Sequence, residues 1–104
     1  PGGTPEAEAI RGLLVNGHVS RWTPQAEALL NYAAREQHVQ QVIRPALQAG
    51  SIVLCDRFMD STRAYQGYAG GCEMPFLDAL ERAVVGETRP DLTLIFDLDP
   101  DIGL

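Results

Sequence analysis

The chain has 104 residues, 45% hydrophobic and 21% charged, a globular composition sufficient for one small domain. Fourteen acidic residues against eight basic ones give a net charge of −6, which argues against a polyanion-binding surface, so no nucleic-acid polymer is expected as partner. All eight basic residues are arginine, and a few of them placed together are enough to hold a small phosphate ester.

Thr4-Pro5 predicts a first helix with Ala7, Ile10, Leu13 and Leu14 on one face and Asn16-Gly17 at its end. Thr23-Pro24 predicts a longer one that reaches Ala49 and stops at Gly50. Its apolar positions are Ala26, Leu29, Leu30, Ala33, Val39, Val42, Ile43, Ala46 and Leu47, with a polar middle at Arg35-Glu36-Gln37-His38. Pro45 should bend or break it, because proline removes a backbone donor and crowds the preceding turn. Residues 51–55 read as a buried strand, Asp60 or Ser61 as the cap of a short helix, 67–71 as a loop, Pro75–Val85 as a further helix and Leu92–Leu98 as a second strand. Strand, helices, strand is a right-handed βαβ crossover. The fold class is therefore α/β, with two strands and about four helices.

Both ends look cut. The chain opens at Pro1-Gly2-Gly3-Thr4, and Asp99-Pro100 announces a helix that Leu104 stops within its first turn. Cys55, inside the first strand, is expected to be a small buried side chain, and with Cys72 it offers no metal-ligand spacing. No signal peptide or membrane-length apolar run is present, so the cytoplasm is the expected compartment, with no membrane partner.

Ile52-Val53-Leu54-Cys55 runs directly into Asp56-Arg57-Phe58, and Ser61-Thr62-Arg63-Ala64-Tyr65-Gln66-Gly67 follows. In open α/β sheets ligands bind at the carboxyl ends of strands, where a charged pair more often has a function than a structural partnership. An arginine there can grip a phosphate with its planar fork of donors, and the aspartate can orient it or sit near a metal.

These segments, in this order, resemble thymidylate kinase of the bacterial type. Pro1-Gly2-Gly3-Thr4 is similar to the end of that family's R-E-P-G-G-T segment, and Tyr32-Ala33-Ala34-Arg35 with His38 to the helix facing thymine. Asp56-Arg57-Phe58 resembles its D-R-Y/H signature, and Ser61-Thr62 with Ala64-Tyr65-Gln66-Gly67 its S-x-x-A-Y-Q-G run. Arg89-Pro90-Asp91-Leu92-Thr93 and Asp97-Leu98-Asp99-Pro100 resemble the strand leading into the lid.

The resemblance implies a P-loop kinase-like parallel sheet flanked by helices, with residues 1–104 as its dTMP-binding part, and an activity that moves the γ-phosphoryl of Mg-ATP to dTMP. Arg57 would hold the dTMP phosphate, with Asp56 orienting it or lying near Mg²⁺. Arg35 would meet the thymine carbonyl edge, Thr62 and Gln66 would help position the base, and Tyr65 would pack on the sugar. Gly2, Gly3 and Thr4 would line the acceptor side. A homodimer is also implied.

Plainer readings compete with these. Arg35 could pair with a surface glutamate, Tyr65 could be packing, and Arg11, Arg21, Arg44, Arg63 and Arg82 are most simply solvated helix charges. Two departures stand out. Asn31 occupies the place of the aromatic residue that stacks on thymine in the family, and Tyr32 beside it points about 100° away on an ideal helix. A chain with no lysine also cannot contain the G-x-x-x-x-G-K-[ST] loop that cradles ATP. The alternatives are a non-catalytic nucleotide- or partner-binding chain and a deoxynucleoside kinase.

Overall fold

Each of the two Thr-Pro pairs starts a helix by the same device. In the computed structural model, which describes residues 3–17 and 21–103, Thr4 Oγ1 accepts the Ala7 N–H (3.0 Å) and Pro5 opens α1, Pro5–Val15. Thr23 Oγ1 accepts the Ala26 N–H (3.2 Å) and Pro24 opens α2, Pro24–His38. The hydroxyl satisfies a donor that a helix start leaves open, and proline loses nothing where no intrahelical bond is made. The two helices pack on each other. Trp22 fastens the second to the first by donating its indole N–H to the Leu13 carbonyl (3.1 Å).

From α2 the chain passes without interruption into a π-helical segment, Val39–Ile43, and then into α3, Arg44–Gln48. The Arg44 N–H reaches back five residues to the Val39 carbonyl. Pro45 accounts for the wide turn: its ring would collide with the Gln41 carbonyl in a regular α-turn, and widening moves that carbonyl aside. The proline is absorbed by a change of helical pitch rather than by a break. Gly50, at φ +84°, ends the run where the sequence places its end.

Ala28, Tyr32, Arg35, Val39 and Ile43 form the buried stripe of this long helix. Leu29, Ala33, Val42 and Leu47, expected on the apolar face, remain exposed. They have no element among the described residues to pack against.

The next helical unit is α4, Met59–Thr62, which widens into a second π-helical segment, Arg63–Ala69, before α5, Met74–Val84. Gly67 to Ala69 are thus helical, and the loop expected over 67–71 is confined to its last residues. Gly67 lets this segment lie close to α5, since a Cβ there would come within 2.8 Å of Met74 Cε and 3.0 Å of Leu77 Cδ1, the ends of two α5 side chains. Neither Asp60 nor Ser61 caps this unit; Phe58 takes that position and no side chain bonds the first turn.

Arg63 and Arg44 correct the expectation of solvated charges. Arg63 pairs with Asp78 (2.6 Å) and Glu81 on α5, and the two carboxylates, Asp78 first, hold its pKa above the ordinary arginine value. Glu81 is 2% exposed and also meets Arg89 (3.3 Å), so one buried carboxylate ties the second π segment to the start of the 92–98 run. Arg44 donates to Thr88 Oγ1 (2.8 Å) and the Val85 carbonyl (3.3 Å).

The two expected strands are absent from the described residues. Residues 51–55 and 92–98 carry no strand pairing, and Ile52, Leu54 and Phe96 are 92%, 94% and 94% exposed. A strand exists only through N–H and C=O groups shared with a neighbour, and an isolated pair of strands is marginal. With no further strand here to bridge them, the βαβ crossover does not form. Cys55 is consequently exposed rather than buried, its Sγ donating to the Arg57 carbonyl (3.3 Å). The radius of gyration of 14.4 Å exceeds the roughly 13 Å expected for a domain of this length, consistent with two runs left outside the helical packing. The last helix, α6, Pro100–Gly103, begins as its sequence indicates, with Asp99 Oδ1 accepting the Asp101 N–H (2.9 Å). No helix among the described residues is long and apolar enough to cross a membrane.

Candidate functional site

Three segments distant in sequence close around one cleft of about 460 Å³, a size within the range of roughly 300–1,000 Å³ usual for small-ligand sites. The C-terminal half of α1 forms one wall with Arg11, Leu14 and Val15. One face of α2 brings Glu27, Asn31 and Arg35, and the stretch from Arg57 into the second π segment brings Arg57, Thr62, Tyr65 and Gln66. Six of the residues singled out from the sequence therefore share one concavity.

Arg35 forms the floor. It is 3% exposed, donating from Nη1 to Thr62 Oγ1 (2.9 Å) and from Nη2 to the Phe58 carbonyl (3.1 Å). Its guanidinium lies 4.7 Å from the Tyr32 ring centroid and 5.4 Å from that of Phe58, so two aromatic faces hold the cation. Burial pushes its pKa below the ordinary arginine value, with Tyr32 acting in the opposite direction. The surface-glutamate alternative for Arg35 does not describe this residue. Two of its five N–H donors are committed to protein oxygens on another segment.

Arg57 stands at the rim, exposed, with its guanidinium 5.7 Å from the Tyr65 ring centroid. Its backbone has φ +61°, the sole positive value among the described residues other than glycine. Left-handed backbone is costly for a side chain with a Cβ, and such strain concentrates at ligand sites. Asn31 is half-buried and donates Nδ2 to the Glu27 carbonyl one turn earlier (2.9 Å). Gln66 is buried and donates Nε2 to Glu27 Oε2 (3.2 Å).

Other expected residues lie elsewhere. Asp56 is exposed and does not line the cleft. Thr4 is buried as the α1 cap, and Gly3, at φ +95°, sits against the His38 ring, whose atoms approach to 3.1 Å of where a Cβ would be. Gly2 falls outside the described residues. Among the described residues no group of three or more His, Cys, Asp or Glu is placed to hold a metal.

Sequence reasoning overlooked Glu27 and read Arg11, which lines the cleft, as a solvated helix charge. Glu27, Asn31 and Arg35 recur every four residues and so share one face of α2, a signal that would have found the first. Arg35 and Arg57, with Arg11 paired to Glu8 (3.6 Å), outnumber the lining carboxylate of Glu27 and leave the cleft cationic in a chain of net charge −6. Such a site suits a small anion that also carries a polar planar group.

The chain is matched over residues 1–104 by the family described as Thymidylate kinase. Over all 104 residues it is 59% identical to a protein of Caulobacter vibrioides named Thymidylate kinase, 56% to one of Ectopseudomonas mendocina and 55% to one of Pseudomonas fluorescens, each so named. It covers 50% of each, and so spans about half the length of the curated relatives it matches. By the match along its whole length, the chain belongs to the thymidylate kinase family.

Proposed function

We propose that these residues form the acceptor side of a thymidylate kinase, which transfers the γ-phosphoryl of Mg-ATP to dTMP and yields dTDP for dTTP synthesis. The observation that carries this reading is the convergence of Asn31, Arg35, Arg57, Thr62, Tyr65 and Gln66 on one cationic cleft. Arg57 at the rim takes the dTMP phosphate, Arg35 on the floor meets a thymine carbonyl, Thr62 and Gln66 position the base, and Tyr65 packs on the sugar. Asp56, next to Arg57 in the chain, either orients it or lies near Mg²⁺.

The nucleophile is a phosphate oxygen already ionised at neutral pH, so no general base is required. The task of this half is to hold the acceptor in line and offset its charge, which is what a loose phosphoryl-transfer transition state needs. The sequence has no lysine, so the G-x-x-x-x-G-K-[ST] loop that cradles the ATP phosphates is not among these residues. In this reading that loop and the lid belong to other parts of the full-length protein. In that setting 51–55 and 92–98 become strands of a parallel sheet flanked by helices. The protein is cytoplasmic and homodimeric in this reading, with no nucleic-acid or membrane partner.

A full-length protein containing this chain should convert dTMP and Mg-ATP to dTDP in a coupled assay, and the isolated 104 residues should not. A purified full-length protein that fails to turn over dTMP would overturn the reading.

Asn31 tests the base contact. The aromatic side chain found at this place in the family would stack on thymine, whereas the Asn31 amide is turned back onto its own helix. Asn31→Phe in the full-length protein should bind dTMP about fivefold more tightly, base–aromatic stacking being worth roughly 1–3 kcal/mol. Calorimetric titration reads this directly. Weaker binding would show that Asn31 already hydrogen-bonds the base, since its replacement then leaves a polar edge unpaired.

A further inference from the structure

We infer that Glu27 is a positioning residue that sets base selectivity by holding the Gln66 amide one way round, so that the cleft takes a keto pyrimidine (thymine or uracil) and rejects the amino pyrimidine cytosine. The inference rests on the reading of the cleft as a pyrimidine monophosphate site.

A glutamine amide is nearly symmetric in shape, and either end can face a given direction unless a neighbour decides. Here the neighbour is a carboxylate, which can only accept, so only the NH₂ end of Gln66 can meet it. Gln66 Nε2 lies 3.2 Å from Glu27 Oε2, across 39 residues of sequence. Anchoring Nε2 leaves Oε1 as the free end. Gln66 is 7% exposed, yet no buried side-chain polar atom of the described residues lacks a partner. Oε1 accepts from no described donor, so it is open to the cleft that Gln66 lines.

Arg35 lines the same cleft and has only donors to offer beyond the two given to Thr62 and Phe58. The site therefore presents an acceptor and donors together. Thymine and uracil carry the complement, an N3–H donor next to an O4 acceptor. Cytosine carries the reverse, an N3 acceptor next to an N4 amino donor, and would set donor against donor and acceptor against acceptor. Sites built on hydrogen bonds reject the mismatched analogue strongly, because buried polar groups are left unpaired. Were the Gln66 amide free to turn over, half of this pattern would reverse.

The test compares kcat/KM for dTMP and dCMP in the full-length wild type, Glu27→Ala, Glu27→Gln, Gln66→Ala and the Glu27→Ala/Gln66→Ala pair. Glu27→Ala should lower the dTMP:dCMP ratio by about tenfold or more, through a raised KM for dTMP with kcat little changed. Glu27→Gln should shift the ratio the same way by a smaller factor, because an amide partner accepts either orientation of Gln66. In the Gln66→Ala background the Glu27 replacement should have no further effect on the ratio, a non-additivity that a merely structural role does not produce. An unchanged ratio in Glu27→Gln and Glu27→Ala overturns the inference while leaving the kinase reading intact. If Glu27→Ala does not fold, Glu27→Gln, of the same size, decides alone. A wild type that neither binds nor phosphorylates dTMP defeats the functional reading itself, and does so before any variant is compared.

Discussion

Arg57→Ala in the full-length protein is expected to lower kcat/KM for dTMP by on the order of 100-fold or more, the usual effect of removing a charge-assisted clamp that strengthens in the transition state. Arg57→Lys should recover little, since a point charge does not reproduce the two-pronged fork. The backbone adds a second readout. At φ +61° any residue with a Cβ carries a penalty of about 1–2 kcal/mol, and glycine does not. Glycine gives back roughly 0.5–1 kcal/mol in extra unfolded-state entropy, so Arg57→Gly should be about as stable as wild type or slightly more so, and more stable than Arg57→Ala. Its kcat/KM should nevertheless fall as far as that of the alanine variant. Steady-state kinetics paired with chemical denaturation separate the two effects. Near-normal kinetics in Arg57→Ala would make the rim arginine a structural residue.

Arg35→Ala should damage both binding and stability. The side chain is buried, held between Tyr32 and Phe58, and bonded to Thr62 and the Phe58 carbonyl. Truncation leaves two oxygens without their donor and a void between two rings. Hydrogen bonds to a charged group contribute about 1.5–3 kcal/mol each, so a loss of roughly 3 kcal/mol or more is expected. KM for dTMP should rise at least about tenfold with the loss of the proposed carbonyl contact. Arg35→Lys should fail on both counts, because one ammonium cannot bridge Thr62 and Phe58 while lying flat between rings. Denaturant midpoints of the full-length proteins, set beside KM, test this. A variant that unfolds at the wild-type midpoint would show that Arg35 does not hold α2 to the α4 region.

What the sequence made legible was local. Thr4-Pro5, Thr23-Pro24 and Asp99-Pro100 announce helix starts because a cap involves residues within one turn of each other. The cleft was legible for a different reason: Arg35, Arg57, Thr62, Tyr65 and Gln66 lie in short segments whose order carries the family resemblance. What depends on a distant partner was not legible. Two β-rich runs do not specify a sheet when their backbones have nothing beside them. Arg63 reads as a surface charge until α5 brings Asp78 and Glu81 to it. Neither π-helical segment could be read, since no side-chain pattern distinguishes a bond five residues back from one four residues back. Pro45 and Gly67 show where the extra width is used only once the neighbouring chain is known.

The unpaired runs also bear on how the 104 residues behave in isolation. Leu92-Thr93-Leu94-Ile95-Phe96 combines β-branched and aromatic side chains with open backbone donors and acceptors, the makings of intermolecular stacking between copies. Asp91 precedes this run, and Asp97 and Asp99 follow it, so copies in register would bring like charges together at both ends of each strand. These carboxylates act as gatekeepers against fibrils. Acid or high salt weakens that guard, and then the same apolar sequence favours an aggregate of its own kind.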